Sequence, residues 1–191
     1  MTTLQTTSRI LHDLGGAAWF GGNLMGAVGV NGASRVVSDP TDRIPVATAG
    51  WARWAPVQAV GAGAHLLGGL GILLANRDRA ATRSDVAVNT ATKLGLTVLA
   101  AGATFWAGVL GGKLAADGAV PAVSGVIPTE ETPAGVKAAQ QQLRALQWLI
   151  PSLMAVVLAL SAQQGEQQAR DAASPEAREA AGWHRFVRRS A

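Results

Sequence analysis

Residues 14–34 read LGGAAWFGGNLMGAVGVNGAS and contain no charged side chain. An amphipathic helix of a soluble bundle would carry charges at every third or fourth position, so this stretch favours a helix in lipid. A secretory signal peptide is the other interpretation of an apolar segment near an N-terminus. Its apolar core would be shorter and would not include Asp13, so the sequence favours a retained transmembrane helix.

Three further apolar runs follow, and each is close to the 20 or so residues that cross a hydrocarbon core of about 30 Å. Hydrophobic residues make up 49% of the chain and charged residues 15%, a balance shifted toward membrane proteins. We therefore predict an all-α fold, a polytopic membrane protein in which residues 1–163 form an antiparallel bundle of four transmembrane helices. The predicted spans are 10–32, 54–75, 94–114 and 143–163.

Basic residues are divided unequally between the two sides of this predicted bundle. Segments 1–9, 76–93 and 164–191 hold ten of the 16 Lys and Arg residues, and the opposite side holds six. The positive-inside rule then places both termini in the cytoplasm, with the protein in the cell inner membrane. The basic residues do not gather on one face, so nucleic acid is not a predicted partner. Trp51, Trp54 and Trp148 fit an aromatic belt at the membrane surface.

The segment between the third and fourth spans, residues 115–142, is interrupted by Pro121, Pro128 and Pro133. Proline removes a backbone donor and clashes with the preceding helical turn. This spacing predicts a flexible extracytoplasmic loop.

The cytoplasmic tail, residues 164–191, becomes basic and aromatic toward its end. Ser174 and Pro175 form a reasonable helix start, which predicts a short interfacial helix on an anionic leaflet. A solvated, disordered end is the alternative, because helices this short are marginal in water. The predicted lipid contacts are Arg178, Trp183, Arg185, Phe186, Arg188 and Arg189.

Glycine pairs four residues apart predict close helix contacts. Gly22 and Gly26 form one such pair, and Gly108 and Gly112 form another. Small residues allow helix backbones to approach in lipid, either within the chain, against a membrane protein partner or in a homo-oligomer. The fourth run has no glycine and is predicted to fill space around the others, with a kink at Pro151.

Polar residues inside the predicted spans form a candidate site. Counting about 1.5 Å per residue from the cytoplasmic face places four of them at one depth near the midplane. Such a layer would act either as a small-molecule, proton or ion site, or as a hydrogen-bond network that fixes helix register. Gln58 and Gln147 form a second predicted pair nearer the outer face. The members of the midplane layer are Asn23, His65, Thr104 and Ser152.

The sequence predicts no catalytic residue, metal site or cofactor. Cysteine is absent, which excludes thiolate ligands and nucleophiles, and the His-Glu-x-x-His, Gly-x-Ser-x-Gly and Walker patterns do not occur. Haem ligation by His12 and His65 is disfavoured, because the same counting separates them by about 12 Å along the membrane normal.

Three stretches carry a resemblance to known proteins: 12–22, 50–54 and 165–168. They read HDLGGAAWFGG, GWARW and GEQQ, and with them nearly the whole chain resembles a group of uncharacterised small actinobacterial four-helix membrane proteins. That group carries no known activity. Residues 67–77, with Gly68 and Gly69 before Arg77, are also distantly similar to DoxX-like proteins. His65 stands where such proteins often have an acidic residue.

Two functional hypotheses follow. The first is a non-enzymatic membrane module that binds partner proteins or lipids, because the chain has topology and packing signals without catalytic motifs. The second, implied by the DoxX-like resemblance, is a redox-accessory or small-ligand-binding membrane protein that uses the layer around His65. A transporter or channel ranks third, because the predicted midplane has no carboxylates.

Overall fold

The computed structural model describes residues 3–174, except for the side chains of residues 78–80, 85, 171 and 172. The helices are α1 Thr3–Met25, α2 Asn31–Ala33, α3 Arg43–Thr82, α4 Ser84–Asp117 and α5 Ala134–Ala173. A π-helical turn, Gly26–Val30, joins α1 to α2, and a 3-10 turn, Ser34–Val36, follows α2. A short antiparallel hairpin, β1 Ala122–Ser124 and β2 Ile127–Pro128, joins α4 to α5.

Three helices are long and apolar enough to cross a membrane, in the segments Arg43–Arg77, Val86–Asp117 and Ala134–Arg170. Helices α3 and α5 have 40 residues each, about 60 Å, so both would extend beyond the hydrocarbon on at least one side. Large apolar side chains are exposed on these apolar helices: Leu67 on α3 is 68% exposed, and Phe105 on α4 is 74% exposed. An apolar surface of this extent fits a membrane protein, and the N-terminal helix α1 packs beside it.

The four long helices form a ring in the order α1, α3, α4, α5, with each helix contacting the next and α5 returning to α1. The contact between α1 and α3 is the most extensive and is antiparallel. A Cβ on Gly15 would collide with backbone atoms of Gly61 and His65, and a Cβ on Gly68 would collide with the His12 backbone. Glycine at these positions therefore brings the two backbones into direct contact.

The glycine pairs singled out in the sequence have other roles. The Trp54 indole covers Gly22, and the Trp51 indole covers Gly26, so this pair accommodates side chains rather than a helix backbone. Nothing lies within 4 Å of a Cβ placed on Gly108 or on Gly112. Both glycines of the second pair are exposed, so no helix packs directly on them.

Two apolar clusters hold the bundle together. Trp19, Ala100, Ile150 and Met154 form the one in the middle of the helices. The other lies beside the hairpin, with Ile44, Leu110, Leu114, Ala122, Val136 and Ala139. Pro151 lies inside α5, and Pro56 lies inside α3. Ile150 and Met154 belong to the glycine-free run of α5, so this run contributes to the core.

The segment 115–142, predicted as a flexible loop, is a packed cap in the structure. Ala122 is fully buried, and its amide donates to the carbonyl of Pro40 at 3.1 Å. Arg43 Nη1 donates to the Ala122 carbonyl at 3.0 Å, and Gln140 Nε2 donates to the Ser124 carbonyl at 3.0 Å. The prolines do interrupt the helix, but the apolar residues between them pack on α3 and α5 and give the segment a core. The predicted lipid contacts between residues 178 and 189 lie outside the described residues.

Candidate ligand cavity

Two residues of the predicted midplane layer, Asn23 and Thr104, are joined through Trp19. Asn23 is buried, and its Nδ2 donates to the Trp19 carbonyl at 2.8 Å and to Gln58 Oε1 at 3.2 Å. Trp19 Nε1 donates to Thr104 Oγ1 at 3.0 Å. A chain of hydrogen bonds thus connects α1, α3 and α4.

The other two residues of the layer lie elsewhere. His65 is buried at the α1–α3 contact, where its Nδ1 donates to the His12 carbonyl at 2.9 Å. Its ring makes a T-shaped contact with the Trp19 indole at a centroid distance of 6.0 Å, and it has no hydrogen bond to Asn23. Ser152 is exposed on the outer side of α5. The four residues therefore do not share one network.

The sequence-based separation of His12 and His65 is wrong. Their rings are in contact, with centroids 4.1 Å apart. The error comes from the run boundaries, which set residue 10 level with residue 75, whereas the structure packs Ser8 against Gly71. The helices are therefore displaced by about one and a half turns from the expected register. Direct contact between the rings leaves no space between them for a porphyrin.

A cavity of about 340 Å³ lies on the other side of Trp19, toward the hairpin. Helices α1, α3, α4 and α5 all contribute to its wall. Its polar wall consists of Asn23, Asn31, Thr48, Gln58, Thr104 and Gln147, and its aromatic wall consists of Trp51 and Trp54. Its volume falls within the range of small-molecule sites.

Amide side chains are paired across this cavity. Asn31 Nδ2 donates to Gln147 Oε1 at 2.8 Å, and Trp51 Nε1 donates to Asn31 Oδ1 at 3.1 Å. Trp54 Nε1 donates to Gln58 Oε1 at 3.0 Å. Gln58 and Gln147, predicted as a pair from their depth, thus line the same cavity but bond to asparagines. Within residues 3–174, the Nε2 donors of both glutamines have no hydrogen-bond partner.

The cavity wall is electrically neutral, because none of the residues that line it is charged. A charged ligand would lose its hydration here without a counter-ion, at a large cost in free energy. An uncharged ligand loses far less, and it would gain indole contacts and amide hydrogen bonds. The wall therefore favours a neutral molecule with an apolar body and a few polar atoms.

The cavity opens sideways between α3 and α4. Ala52 and Ala55 on α3 line it and are exposed, as are Gly108, Gly112 and Ala115 on α4. Both helices belong to the apolar candidate spans, so this opening faces the same surroundings as their exposed apolar side chains. A second recess of about 270 Å³ shares residues with the cavity and continues the groove toward the end of α4.

The hairpin closes the end of the cavity. Gly125 and Val126 line it, and the Gly125 amide donates to Ser34 Oγ at 2.9 Å. Ser34 Oγ in turn donates to the Asn31 carbonyl at 2.8 Å, which ties the cap to the amide network. A Cβ on Gly125 would collide with Ala47, so only glycine allows the turn to lie this close to α3.

Sequence reasoning missed the aromatic wall, because it placed Trp51 and Trp54 at the membrane surface. A signal was present in their spacing with Gln58, since positions separated by three, four and seven residues share one face of a helix. Gly22 on α1 and Gly26 at the start of the π-helical turn lie against Trp54 and Trp51. Together these residues indicate an indole-lined contact between the two helices.

Comparison with protein-family models, with curated proteins and with solved structures gives no match. Among the described residues, no group of three or more His, Asp or Glu side chains could hold a metal ion.

Proposed function

We propose that this chain is a four-span integral membrane module, with both termini in the cytoplasm, that binds a small uncharged amphiphile from the lipid phase. The observation that carries the proposal is the neutral cavity, lined by indoles and amides and open between two apolar helices. A ring-containing molecule with carbonyl or hydroxyl oxygens fits this wall, because the free Nε2 donors of Gln58 and Gln147 need acceptors. The proposal is a specific form of the lipid-binding hypothesis, with the cavity between α3 and α4 as the binding site.

The membrane placement of α1 is supported by its two faces. Leu14 on α1 is 68% exposed and Val28 in the π-helical turn is 61% exposed, whereas His12 and Asn23 are buried against the other helices. A helix in water would show the opposite distribution, with its polar face outward. With the π-helical turn, α1 is long enough to cross the hydrocarbon beside α3. A DoxX-like origin remains a prediction of the sequence.

The test uses two matched substitutions on α4. Gly108 lines the cavity and Gly102 does not, yet both have open space where a Cβ would stand. Leucine at either position improves helix propensity by up to about 1 kcal/mol, so neither variant should unfold. Gly108→Leu places a side chain in the cavity, and Gly102→Leu places the same side chain on the outer surface.

The protein is purified from membranes in mild detergent, and its bound small molecules are extracted and identified by mass spectrometry. We expect a neutral amphiphile with wild type and with Gly102→Leu, and at least tenfold less with Gly108→Leu. Equal amounts in all three preparations, or a charged ligand lost from Gly108→Leu, would contradict the proposal.

A further inference from the structure

Two cations converge at the end of the bundle opposite the hairpin. Arg9 on α1 donates through Nη2 to Gln168 Oε1, and Lys93 on α4 donates through Nζ to Gln164 Oε1. The two glutamines are one turn apart on α5, so they hold the cations side by side. Both cations are half-buried.

The partners of these cations carry no charge. In the described part of the chain, no carboxylate lies within the 4 Å of an ion pair with either cation. Asp13 is the nearby carboxylate, and its Oδ1 pairs with His12 Nδ1 at 2.9 Å. Arg9 and Lys93 repel each other, and Asp13 is the described carboxylate whose charge acts on Lys93. Among the described residues, the cluster therefore has two positive charges against one negative charge.

The position of the cluster along the helices matches the lipid–water boundary. Arg9 immediately precedes the predicted span 10–32, and Lys93 immediately precedes the predicted span 94–114. Gln164 immediately follows the predicted span 143–163. Three boundaries read separately from the sequence therefore meet at one place in the structure, at the level of lipid headgroups on the side of the termini.

We infer that Arg9 and Lys93 bind the phosphate of an anionic phospholipid. Basic sites between transmembrane helices on the cytoplasmic side suit anionic headgroups, and the guanidinium group matches phosphate oxygens with two parallel hydrogen bonds. The phosphate neutralises the cluster, while the acyl chains of the lipid lie along the exposed apolar surface of α4. The inference rests on the membrane placement of the helices and is independent of the cavity.

The experiment neutralises the cations without removing them. The double substitution Gln164→Glu and Gln168→Glu converts both neutral acceptors to carboxylates, so the hydrogen bonds become ion pairs and the packing is retained. Gln163 and Gln167 have the same spacing, one residue earlier on α5, and are exposed. The double substitution Gln163→Glu and Gln167→Glu therefore adds the same charge at nearly the same depth but on another face.

Phosphatidylglycerol, phosphatidylcholine and inorganic phosphate are each titrated into the purified full chain in neutral detergent, and binding is followed by native mass spectrometry and thermal unfolding. We expect wild type and the 163/167 variant to bind phosphatidylglycerol more tightly than phosphatidylcholine. The affinity of the 164/168 variant for phosphatidylglycerol should be lower by about tenfold or more.

If both double variants bound phosphatidylglycerol equally weakly, the added negative charge alone would explain the loss, and the proposed site would be overturned. Equal binding of both lipids by wild type would also overturn it. Stabilisation by inorganic phosphate that equals that by phosphatidylglycerol would assign the cations to a free anion instead of a lipid. Recovery of the wild-type chain from the soluble fraction would remove the membrane placement itself, a failure distinct from loss of the cavity ligand.

Discussion

The imidazole rings of His12 and His65 stack with their centres 4.1 Å apart and their planes tilted by 31°. Each ring has a further partner: His12 Nδ1 pairs with Asp13 Oδ1, and the His65 ring makes a T-shaped contact with Trp19. His65 Nδ1 also reaches across to the His12 carbonyl. These contacts connect α1 to α3 at the level where Gly15 and Gly68 bring the backbones together.

Replacement of His65 should therefore destabilise the bundle. His65→Leu removes the hydrogen bond to the His12 carbonyl and the ring contacts from a site with 1% exposure. We expect a loss of about 1 to 3 kcal/mol in the free energy of unfolding, measured by denaturant titration in detergent. His65→Gln should lose less, because its amide can still donate.

Ser152 supplies the control for this comparison. It was predicted to share a layer with His65, but it is exposed. Ser152→Ala should therefore change the free energy of unfolding by no more than about 0.5 kcal/mol. If His65→Leu were as stable as wild type, the histidine contact would have no role in joining the helices.

The hairpin should depend on glycine at position 125. Gly125→Leu would force its Cβ against Ala47, and the turn would have to move away from α3. The buried Ser124 provides a reporter, since it is 1% exposed and the natural chain has no cysteine. We expect a Ser124→Cys thiol to react slowly with a maleimide, and at least tenfold faster when Gly125→Leu is added.

A control separates this local opening from general unfolding. Gly102→Leu, far from the hairpin and without close neighbours, should leave the reactivity of Ser124→Cys unchanged. Equal and slow labelling in the Gly125→Leu background would show that the cap tolerates a side chain at the turn.

The sequence contained enough to predict the helices, because an apolar run long enough to cross lipid has few alternative structures. Each predicted span lies within a helical stretch of the structure. The prediction was weaker at run ends, since apolar composition does not mark where a helix stops once it extends into water. Helix α5, for example, begins at Ala134, nine residues before its predicted span.

The candidate site depended on register, which composition does not fix. Asn23 and Thr104 are linked through Trp19. The displaced register of α1 and α3 places Asn23 beside Gln58 and His65 beside His12. Counting residues along a helix gives the depth of a side chain but not the direction in which it points. For this reason Ser152 was predicted to lie inside the bundle. The hairpin cap depends on long-range contacts, such as that between Arg43 and Ala122, which no local pattern announces.

The topology gives the last prediction, because four spans and three spans place the N-terminus on different sides of the membrane. The natural chain has no cysteine, so single cysteines can be placed at four exposed positions. Leu4 and Ser84 lie toward the predicted cytoplasmic side, and Asp42 and Glu130 lie toward the opposite side.

In intact cells, an impermeant thiol reagent should label Asp42→Cys and Glu130→Cys, and it should label Leu4→Cys and Ser84→Cys only after permeabilisation. The positive-inside rule sets this orientation, since residues 1–9, 76–93 and 164–191 carry ten of the 16 basic residues. The reverse pattern at all four sites would invert the protein and move Arg9 and Lys93 to the outer leaflet. Labelling of Leu4→Cys together with Asp42→Cys, with Ser84→Cys still protected, would show that α1 does not cross, so that three helices span the membrane and α1 reaches the bundle from outside the bilayer.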